Sequence, residues 1–338
     1  MELSLQNISV SLSGKEILKS ISLTVEEGIF VSLLGASGCG KSTLLKTIAG
    51  IIPQTRGSVI LDGKSADKLP CHKRGTVIVF QDFRLFPHMT VVENISFPLK
   101  MRGVSKEEYL KIASELLEKV QLTGFENRRS YEMSGGQIQR VALARALAAK
   151  PNVLLLDEPF SSLDVNLRKE MRSLVLKLQK EFKITTVLVT HDRHEALTMS
   201  DKVALMMDGK ILQYDTPEKI FESPVSRQVA DYFGDVIYID GIVKDHIFQS
   251  EIISFSVDKP DGLYEVMFRP SAVQIMSNGN KNFRICDLSY QGENYSARLE
   301  HNETKIKLNT TIPFPSPYQI GDVVTVLFDT NRSVLFPV

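Results

Sequence analysis

Apolar positions along the first two thirds of the chain follow two alternating rhythms. Short runs of consecutive apolar residues, the pattern of strands buried on both faces, occur at Ile29-Phe30-Val31-Ser32-Leu33-Leu34, Thr76-Val77-Ile78-Val79-Phe80, Val153-Leu154-Leu155-Leu156 and Thr185-Thr186-Val187-Leu188-Val189-Thr190. Between them, Tyr109, Ala113, Leu116, Leu117 and Val120 keep helical spacing across 105–120, with Lys and Glu in the gaps. Residues 138–147 are alanine-rich and strongly helix-forming, and Leu167, Met171, Leu174, Val175, Leu178 and Phe182 line one face of a long helix. Short strands at Leu3-Ser4-Leu5 and Ile21-Ser22-Leu23-Thr24-Val25 flank a turn at Ser13-Gly14-Lys15, predicting a small antiparallel flap. Another short strand runs through 57–63, and Val203-Ala204-Leu205-Met206 leads through Asp208-Gly209 to Lys210-Ile211-Leu212. Strand–helix alternation over some 230 residues predicts one α/β domain, residues 1–234.

The rhythm changes near Gly234. Helical spacing stops and short alternating runs begin, at Ile237-Tyr238-Ile239, 252–255, 264–268, 295–299, 305–308 and 323–328. Turns at Asp261-Gly262, Gln291-Gly292 and Gly321-Asp322 separate several of them. Residues 235–338 therefore read as a small β-barrel or sandwich. This part shows no catalytic cluster: His246 and His301 stand far apart without supporting ligands and read as ordinary surface or structural residues.

A chain of 338 residues is too long for one core of typical size. Its 40 basic and 40 acidic residues balance, so the charge points to no nucleic-acid partner. No apolar run approaches the roughly 18 residues that cross a bilayer, and Met1-Glu2-Leu3-Ser4 places no basic segment before an apolar one, so no secretory signal is expected. The cysteines, Cys39, Cys71 and Cys286, have no metal spacing and suit a reducing cytosol.

The chemistry begins at Gly35-Ala36-Ser37-Gly38-Cys39-Gly40-Lys41-Ser42-Thr43, which fits the phosphate-binding pattern G-x-x-x-x-G-K-[ST] between a predicted strand and a predicted helix. Glycines let successive N–H groups turn inward, and the helix start adds its positive end. Lys41 can reach the β and γ phosphates of a nucleoside triphosphate, and the Ser42 hydroxyl can hold Mg²⁺. Asp157 closes an apolar strand, where a carboxylate can hold Mg²⁺ directly or through water, and adjacent Glu158 can orient or deprotonate the attacking water. Gln81 and His191 each follow a core strand; the first offers a donor and an acceptor to Mg²⁺-bound water, the second a hydrogen bond to a γ-phosphate. Ser134-Gly135-Gly136-Gln137 precedes the 138–147 helix, so Ser134 can cap it while the free N–H groups make a second anion site. A bare helix cap is the plainer reading of that stretch.

In order, residues 35–43, Gln81, Met133-Ser134-Gly135-Gly136-Gln137-Ile138-Gln139-Arg140, 153–159, Ser161-Ser162-Leu163-Asp164 and His191 resemble the ATPase subunit of ATP-binding cassette (ABC) transporters. The Ser-Gly-Gly-Gln stretch ahead of Leu156-Asp157-Glu158-Pro159 is the specific part. The resemblance implies a P-loop NTPase fold with a helical subdomain at about 88–150. It also implies a homodimer that sandwiches two ATP molecules, each between one subunit's phosphate loop and the other's Ser134-Gly135-Gly136-Gln137. By position, Gly35, Ser37, Gly38, Cys39, Gly40, Lys41, Ser42 and Thr43 would bind the phosphates; Ser42, Gln81 and Asp157 would serve Mg²⁺. Glu158 would be the general base, His191 would steady the γ-phosphate, and Asp164 would lie in the loop facing the partner. Dimer closure on ATP and opening after hydrolysis would drive transmembrane permease subunits.

Two departures from the family pattern stand out. The upstream position that usually stacks an aromatic ring on adenine is Leu12, so aliphatic packing would replace stacking, and Phe30 reads as a core strand residue and not a substitute. Met133 stands where leucine is usual, a volume-conserving swap expected to be silent. With its β-rich tail, the whole chain resembles subunits of binding-protein-dependent importers, which carry a regulatory oligonucleotide-fold-like (TOBE) domain. Tyr264-Glu265-Val266-Met267-Phe268-Arg269-Pro270 is similar to its strand followed by Arg-Pro. The tail is shorter than in maltose-type subunits, implying one barrel. Residues 83–90 resemble the segment before the cleft that receives the permease's coupling helix, although Phe86 would equally pack inside. The resemblance implies a peripheral protein at the cytoplasmic face of the membrane, working with an extracytoplasmic solute-binding protein. Residues 35–41 and His191-Asp192-Arg193-His194-Glu195-Ala196-Leu197 lean toward ferric-iron or polyamine importers. The alternatives are a soluble ABC-family ATPase of translation or DNA repair, which would carry two cassettes or a coiled-coil insertion, and a nucleotide-gated protein with an RNA-binding tail. Asp235, Asp240, Asp245, Glu251, Asp258 and Asp261 argue against the latter.

Overall fold

The computed structural model describes residues 1–276 and 278–338, which divide into two compact units, Met1–Pro217 and Glu218–Val338. In chain order the first unit holds β1 (Leu3–Leu12), β2 (Lys15–Val25), β3 (Phe30–Leu34), α1 (Lys41–Ile48), β4 (Arg56–Leu61), β5 (Lys64–Ser65) and β6 (Thr76–Val79). The helices α2 (Val91–Met101), α3 (Lys106–Lys119) and α4 (Gly135–Ala148) follow; then come β7 (Val153–Asp157), α5 (Val165–Phe182), β8 (Thr185–Thr190), α6 (Arg193–Met199), β9 (Lys202–Met207) and β10 (Lys210–Asp215).

Two sheets form. One is antiparallel, in the order β2-β1-β4-β5; the other runs β10-β9-β3-β8-β7-β6 and is parallel except for its β10–β9 hairpin. The continuous apolar runs now explain themselves. Val31, Leu33, Val153, Leu155, Val187 and Val189 turn to one side of the parallel sheet, packing with Leu44, Leu45 and Ile48 of α1 and with Leu3, Leu5, Val10, Ile21 and Val59 of the antiparallel sheet. Phe30, Leu154, Leu156 and Leu188 turn to the other side, onto α2, α3, α4 and α5. Because side chains alternate along a strand, a sheet covered on both faces needs apolar residues at every position. Phe30 is accordingly a core residue, 1% exposed.

Sequence and structure differ in instructive places. The flap strands are longer than the alternation shows, because register shifts after Leu5, Ile8 and Val10 interrupt the period of two. Helix α2 went unrecognised: it carries Pro98 inside, and proline in a helix interior normally costs about 3 kcal/mol. A full capping box between Thr90 and Glu93 and burial of Val91, Ile95 and Leu99 offset that cost. Helix α4 begins at Gly135, so Gly-Gly-Gln is its first turn and not a loop before it.

The second unit takes in α8 (Arg227–Tyr232), most of α7 (Pro217–Glu222) and the strands β11 (Ile237–Lys244), β12 (Ile247–Gln249), β13 (Ser254–Ser256), β14 (Gly262–Phe268) and β15 (Val273–Met276). The remaining strands are β16 (Phe283–Tyr290), β17 (Asn294–His301), β18 (Lys307–Pro313), β19 (Val323–Phe328) and β20 (Val334–Pro337). They form sheets β13-β12-β11-β14-β20 and β15-β19-β16-β17-β18 around one core that includes Phe248, Phe268, Phe283, Leu299 and Val326. Arg269, only 2% exposed, donates from Nη1 to the Ala230 carbonyl at 3.0 Å and from Nη2 to the Phe221 carbonyl at 3.0 Å. It ties β14 to both helices. His301 packs on Phe283 and hydrogen-bonds Thr304 through Nδ1, a structural role. Among the described residues no helix is long and apolar enough to cross a membrane.

Candidate functional site

The parallel sheet delivers the candidate residues to one edge. Leu34 pairs with Thr190, Asp157 with Val189, and Val79 with Leu156. Gly35 and His191 are therefore neighbours just beyond β3 and β8, and Asp157, Glu158 and Gln81 leave β7 and β6 at the same level. Neighbouring strands lie about 4.8 Å apart, so one small ligand spans several of them, at the carboxyl edge where open α/β sheets bind.

The phosphate loop wraps the Lys41 ammonium, which donates to the carbonyls of Gly35 at 2.7 Å and Ala36 at 2.9 Å and lies 3.9 Å from the Cys39 sulfur. Gly38 and Gly40 sit at φ +83° and +108°, conformations that side chains rarely adopt, and Gly40 leads directly into α1. Gly35 is glycine for a second reason: a Cβ there would stand 2.2 Å from the Met206 carbonyl oxygen. A buried cation inside a ring of backbone, at a helix start with no acidic residue in its first turn, suits a polyphosphate. The Ser42 hydroxyl donates to Asp157 Oδ1 at 2.8 Å. That pair sets two hard oxygen ligands side by side, the donor set Mg²⁺ prefers.

Glu158 stands at φ +46°, a strained value for a glutamate, with its N–H donating to Val189 and its Oε2 3.2 Å from His191 Nδ1. Gln81 donates from Nε2 to Ser161 Oγ at 3.1 Å, and that hydroxyl donates to the Glu158 carbonyl at 3.0 Å. Gln81, Ser42 and Asp157 line one cleft, of about 550 Å³, together with Lys46, Phe80, Asp82 and Arg84. A second cleft, of about 430 Å³, lies on the other side of the loop, between Ala36, Ser37, Gly38 and Cys39, the flap residues Lys15, Ile17 and Lys19, and the β9–β10 turn at Asp208-Gly209.

Sequence reasoning missed this second cleft. Ile17, Lys19 and the β9–β10 turn carry no motif, and only the fold brings them to the loop. Leu12, at the end of β1 opposite Lys15, is 40% exposed and does not line it. Among the described residues no aromatic side chain does.

The Ser134 stretch forms a complete capping box: Gln137 N–H donates to Ser134 Oγ at 3.4 Å and Ser134 N–H to Gln137 Oε1 at 3.0 Å. It lines neither cleft at the phosphate loop. Asp164 is exposed and caps α5 through the Leu167 N–H at 2.9 Å. One chain thus gathers the phosphate loop, Gln81, Asp157, Glu158 and His191, and leaves Ser134, Gly135, Gln137 and Asp164 on its surface.

Residues 18–161 match the model of the ABC transporter family. The dimeric structure of MJ0796, a bacterial ABC transporter cassette, is 34% identical over 64% of this chain and 98% of that one, with a TM-score of 0.58. The chain belongs to the ABC transporter family. A second structure of that ABC cassette, a dimeric post-hydrolysis state bound to ADP and Pi, matches with the same identity, coverage and TM-score. As an ABC cassette the chain is an ATPase, and it uses ATP with Mg²⁺.

Proposed function

We propose that this cassette is the ATP-hydrolysing subunit of an importer and works as a head-to-tail homodimer. Two ATP molecules would each lie between the phosphate loop of one subunit and Ser134-Gly135-Gly136-Gln137 of the other. The observation that carries the dimer is the state of the α4 start. Ser134 and Gly135 are exposed there, the turn is capped by its own residues, and a Cβ built on Gly135 meets no described atom beyond its own turn within 4 Å. Among the described residues no contact requires glycine there. An approaching phosphate does, because backbone N–H groups bind it only at contact distance. The family's MJ0796 cassette is dimeric.

In this reading Lys41 exchanges its loop carbonyls for phosphate oxygens, and Ser42, Asp157 and Gln81 hold Mg²⁺. The metal supplies charge neutralisation at the phosphates. Glu158 accepts the proton of the attacking water, held by its strained backbone and its contact with His191, which then steadies the γ-phosphate. The Gln81–Ser161–Glu158 chain links the metal side of the site to the loop carrying Asp164, which would face the partner.

The import direction is supported by the strand-rich second unit, with its buried Arg269 after β14, which we read as an oligonucleotide-fold-like TOBE regulatory domain over 235–338. Permease subunits would dock near residues 83–90, where Pro87 and His88 are exposed while Phe86 packs on Phe97 at 4.6 Å. The solute would be of ferric-iron or polyamine type, delivered by an extracytoplasmic binding protein, with the cassette peripheral on the cytoplasmic face. Capture of tagged Glu158→Gln chain from native membranes in ATP tests this. A multi-spanning permease in the eluate supports transport; purely soluble or ribosomal partners leave the ATPase standing and remove the importer.

A further inference from the structure

Two successive non-glycine residues, Phe83 and Arg84, take the left-handed backbone conformation, at φ +55° and +45°. Bulky side chains avoid that region unless surrounding structure holds them there. Phe83 is anchored by its ring, 8% exposed among Val79, Val91 and Ile95. What holds the backbone is a guanidinium from another element. Arg145, near the end of α4, donates from Nη2 to the Phe83 carbonyl and from Nη1 to the Arg84 carbonyl, both at 2.8 Å, and its guanidinium lies 5.4 Å from the centre of the Phe86 ring. The next residues are clamped from α2. Asn94, 1% exposed, accepts from the Phe86 N–H at 2.9 Å and donates to the carbonyls of Phe86 and Thr90.

The clamped turn starts directly after Gln81. Arg84 lies 4.0 Å over the Phe80 ring, pairs with Asp82 at 3.1 Å, and lines the same cleft as Gln81, Ser42 and Asp157. A planar fork that reaches two consecutive carbonyls fixes both peptide planes at once, which a lysine ammonium does not. We propose that Arg145 is a positioning residue for Gln81: by holding the Phe83 and Arg84 carbonyls it sets where β6 ends and where the Gln81 amide stands. The same helix opens with Ser134-Gly135-Gly136-Gln137, so Arg145 makes α4 one rigid link between the metal side of one ATP site and the surface offered to the other. This rests on the assignment of Gln81 to the Mg²⁺ and water side of the site.

The test uses the full chain and four forms: unchanged, Arg145→Lys, Gln81→Ala and the double variant. Arg145→Lys is expected to lower kcat about tenfold while KM for ATP moves less than about twofold, since misplacing a group by a fraction of an ångström acts on the chemical step. Amide exchange at 82–86 should rise at least about tenfold with the rest of the chain little changed. In the Gln81→Ala background, Arg145→Lys should cost less than about twofold in kcat, because its route of action is already gone. If Gln81→Ala is damaging and Arg145→Lys multiplies the loss, the positioning role is overturned and the Gln81 assignment stands. Exchange rising evenly over the chain, which marks general destabilisation, overturns it as well. Should Gln81→Ala leave kcat intact, the Gln81 assignment fails and carries the proposal with it. Arg145→Gln, uncharged and too short to reach either carbonyl from the same backbone, gives the same readouts if the lysine variant does not fold.

Discussion

Gly135 and Gly136 are adjacent in the first turn of α4, and adding one methyl group to each separates folding from ligand contact. At Gly136 a Cβ would stand 2.5 Å from Cδ2 and 3.0 Å from Cδ1 of Leu167, a half-buried side chain of α5. That is overpacking against a flexible end, so Gly136→Ala should destabilise at the low end of the usual range, about 1 kcal/mol. At Gly135 nothing lies within 4 Å and the backbone is helical, so no clash opposes the change. Alanine gains roughly 0.5–1 kcal/mol over glycine in a helix. For a unit of this size that raises the melting temperature by about 1–4 °C. If a partner's ATP approaches that backbone, the same methyl keeps the phosphate away from the N–H groups, and turnover should fall about a hundredfold. The assay is thermal melting without nucleotide, paired with steady-state ATP hydrolysis and light scattering in ATP. A Gly135→Ala chain that melts higher, hydrolyses poorly and stays monomeric in ATP supports the sandwich. One that melts higher and hydrolyses normally refutes it, since no ligand could then reach this turn.

Three further outcomes follow from the same geometry. Lys41→Ala removes the ammonium held inside the phosphate loop, and should abolish most binding of a fluorescent ATP analogue while leaving the fold intact. Glu158→Gln keeps the size of the side chain but cannot accept the water's proton; turnover should drop about 10²–10⁴-fold with ATP affinity retained, and dimers should persist in ATP. A chain that kept turning over would remove Glu158 as the base. Glu195, 4% exposed, accepts from Thr190 Oγ1 at 2.7 Å, and burial raises its pKa above the ordinary 4.5, with Asp192 adding to the shift and Thr190, Arg172 and Arg168 opposing it. The native chain therefore holds this proton more tightly than the unfolded one. Stability is favoured below pH 4.5 and lost as pH rises from there through the folded value. Glu195→Gln should flatten that part of a plot of urea midpoint against pH, and an unchanged slope would mean that Glu195 contributes none of it.

Much of the fold was legible because burial on both faces of a parallel sheet leaves a plain mark. The runs at β7 and β8 were read almost to their ends, and the polar residue after each strand marked the edge that matters. The α2 helix was hidden by Pro98, whose cost is offset by a cap and by tertiary packing that local pattern does not report. The phosphate loop, Asp157, Glu158 and the Ser134 stretch announce themselves through spacing. Lys19 and Asp208-Gly209 do not, because their place in the site depends on the flap and the β9–β10 turn meeting the loop. Arg145 belongs to no motif in the alanine-rich 138–147 stretch. Its meaning lies in two carbonyls some sixty residues upstream.

Strain in the first unit gathers at the site as well as at its turns. Glu158, Phe83 and Arg84 are non-glycine residues in the left-handed region, and all three lie at or just beyond the ends of β7 and β6. Each is held by a specific bond: Glu158 N–H to the Val189 carbonyl, and the Phe83 and Arg84 carbonyls to Arg145. Such conformations cost of order 1–3 kcal/mol apiece, so a fold retains them where another requirement outweighs the cost. Here the requirement is placement. By register, Glu158 and Gln81 fall level with Leu34 and Thr190, one residue short of Gly35 and His191. At that level the Glu158 carboxylate meets His191 at 3.2 Å and the Gln81 amide meets Ser161 at 3.1 Å. The parallel sheet behind these turns, packed with apolar side chains on both faces, supplies the rigidity that holds them.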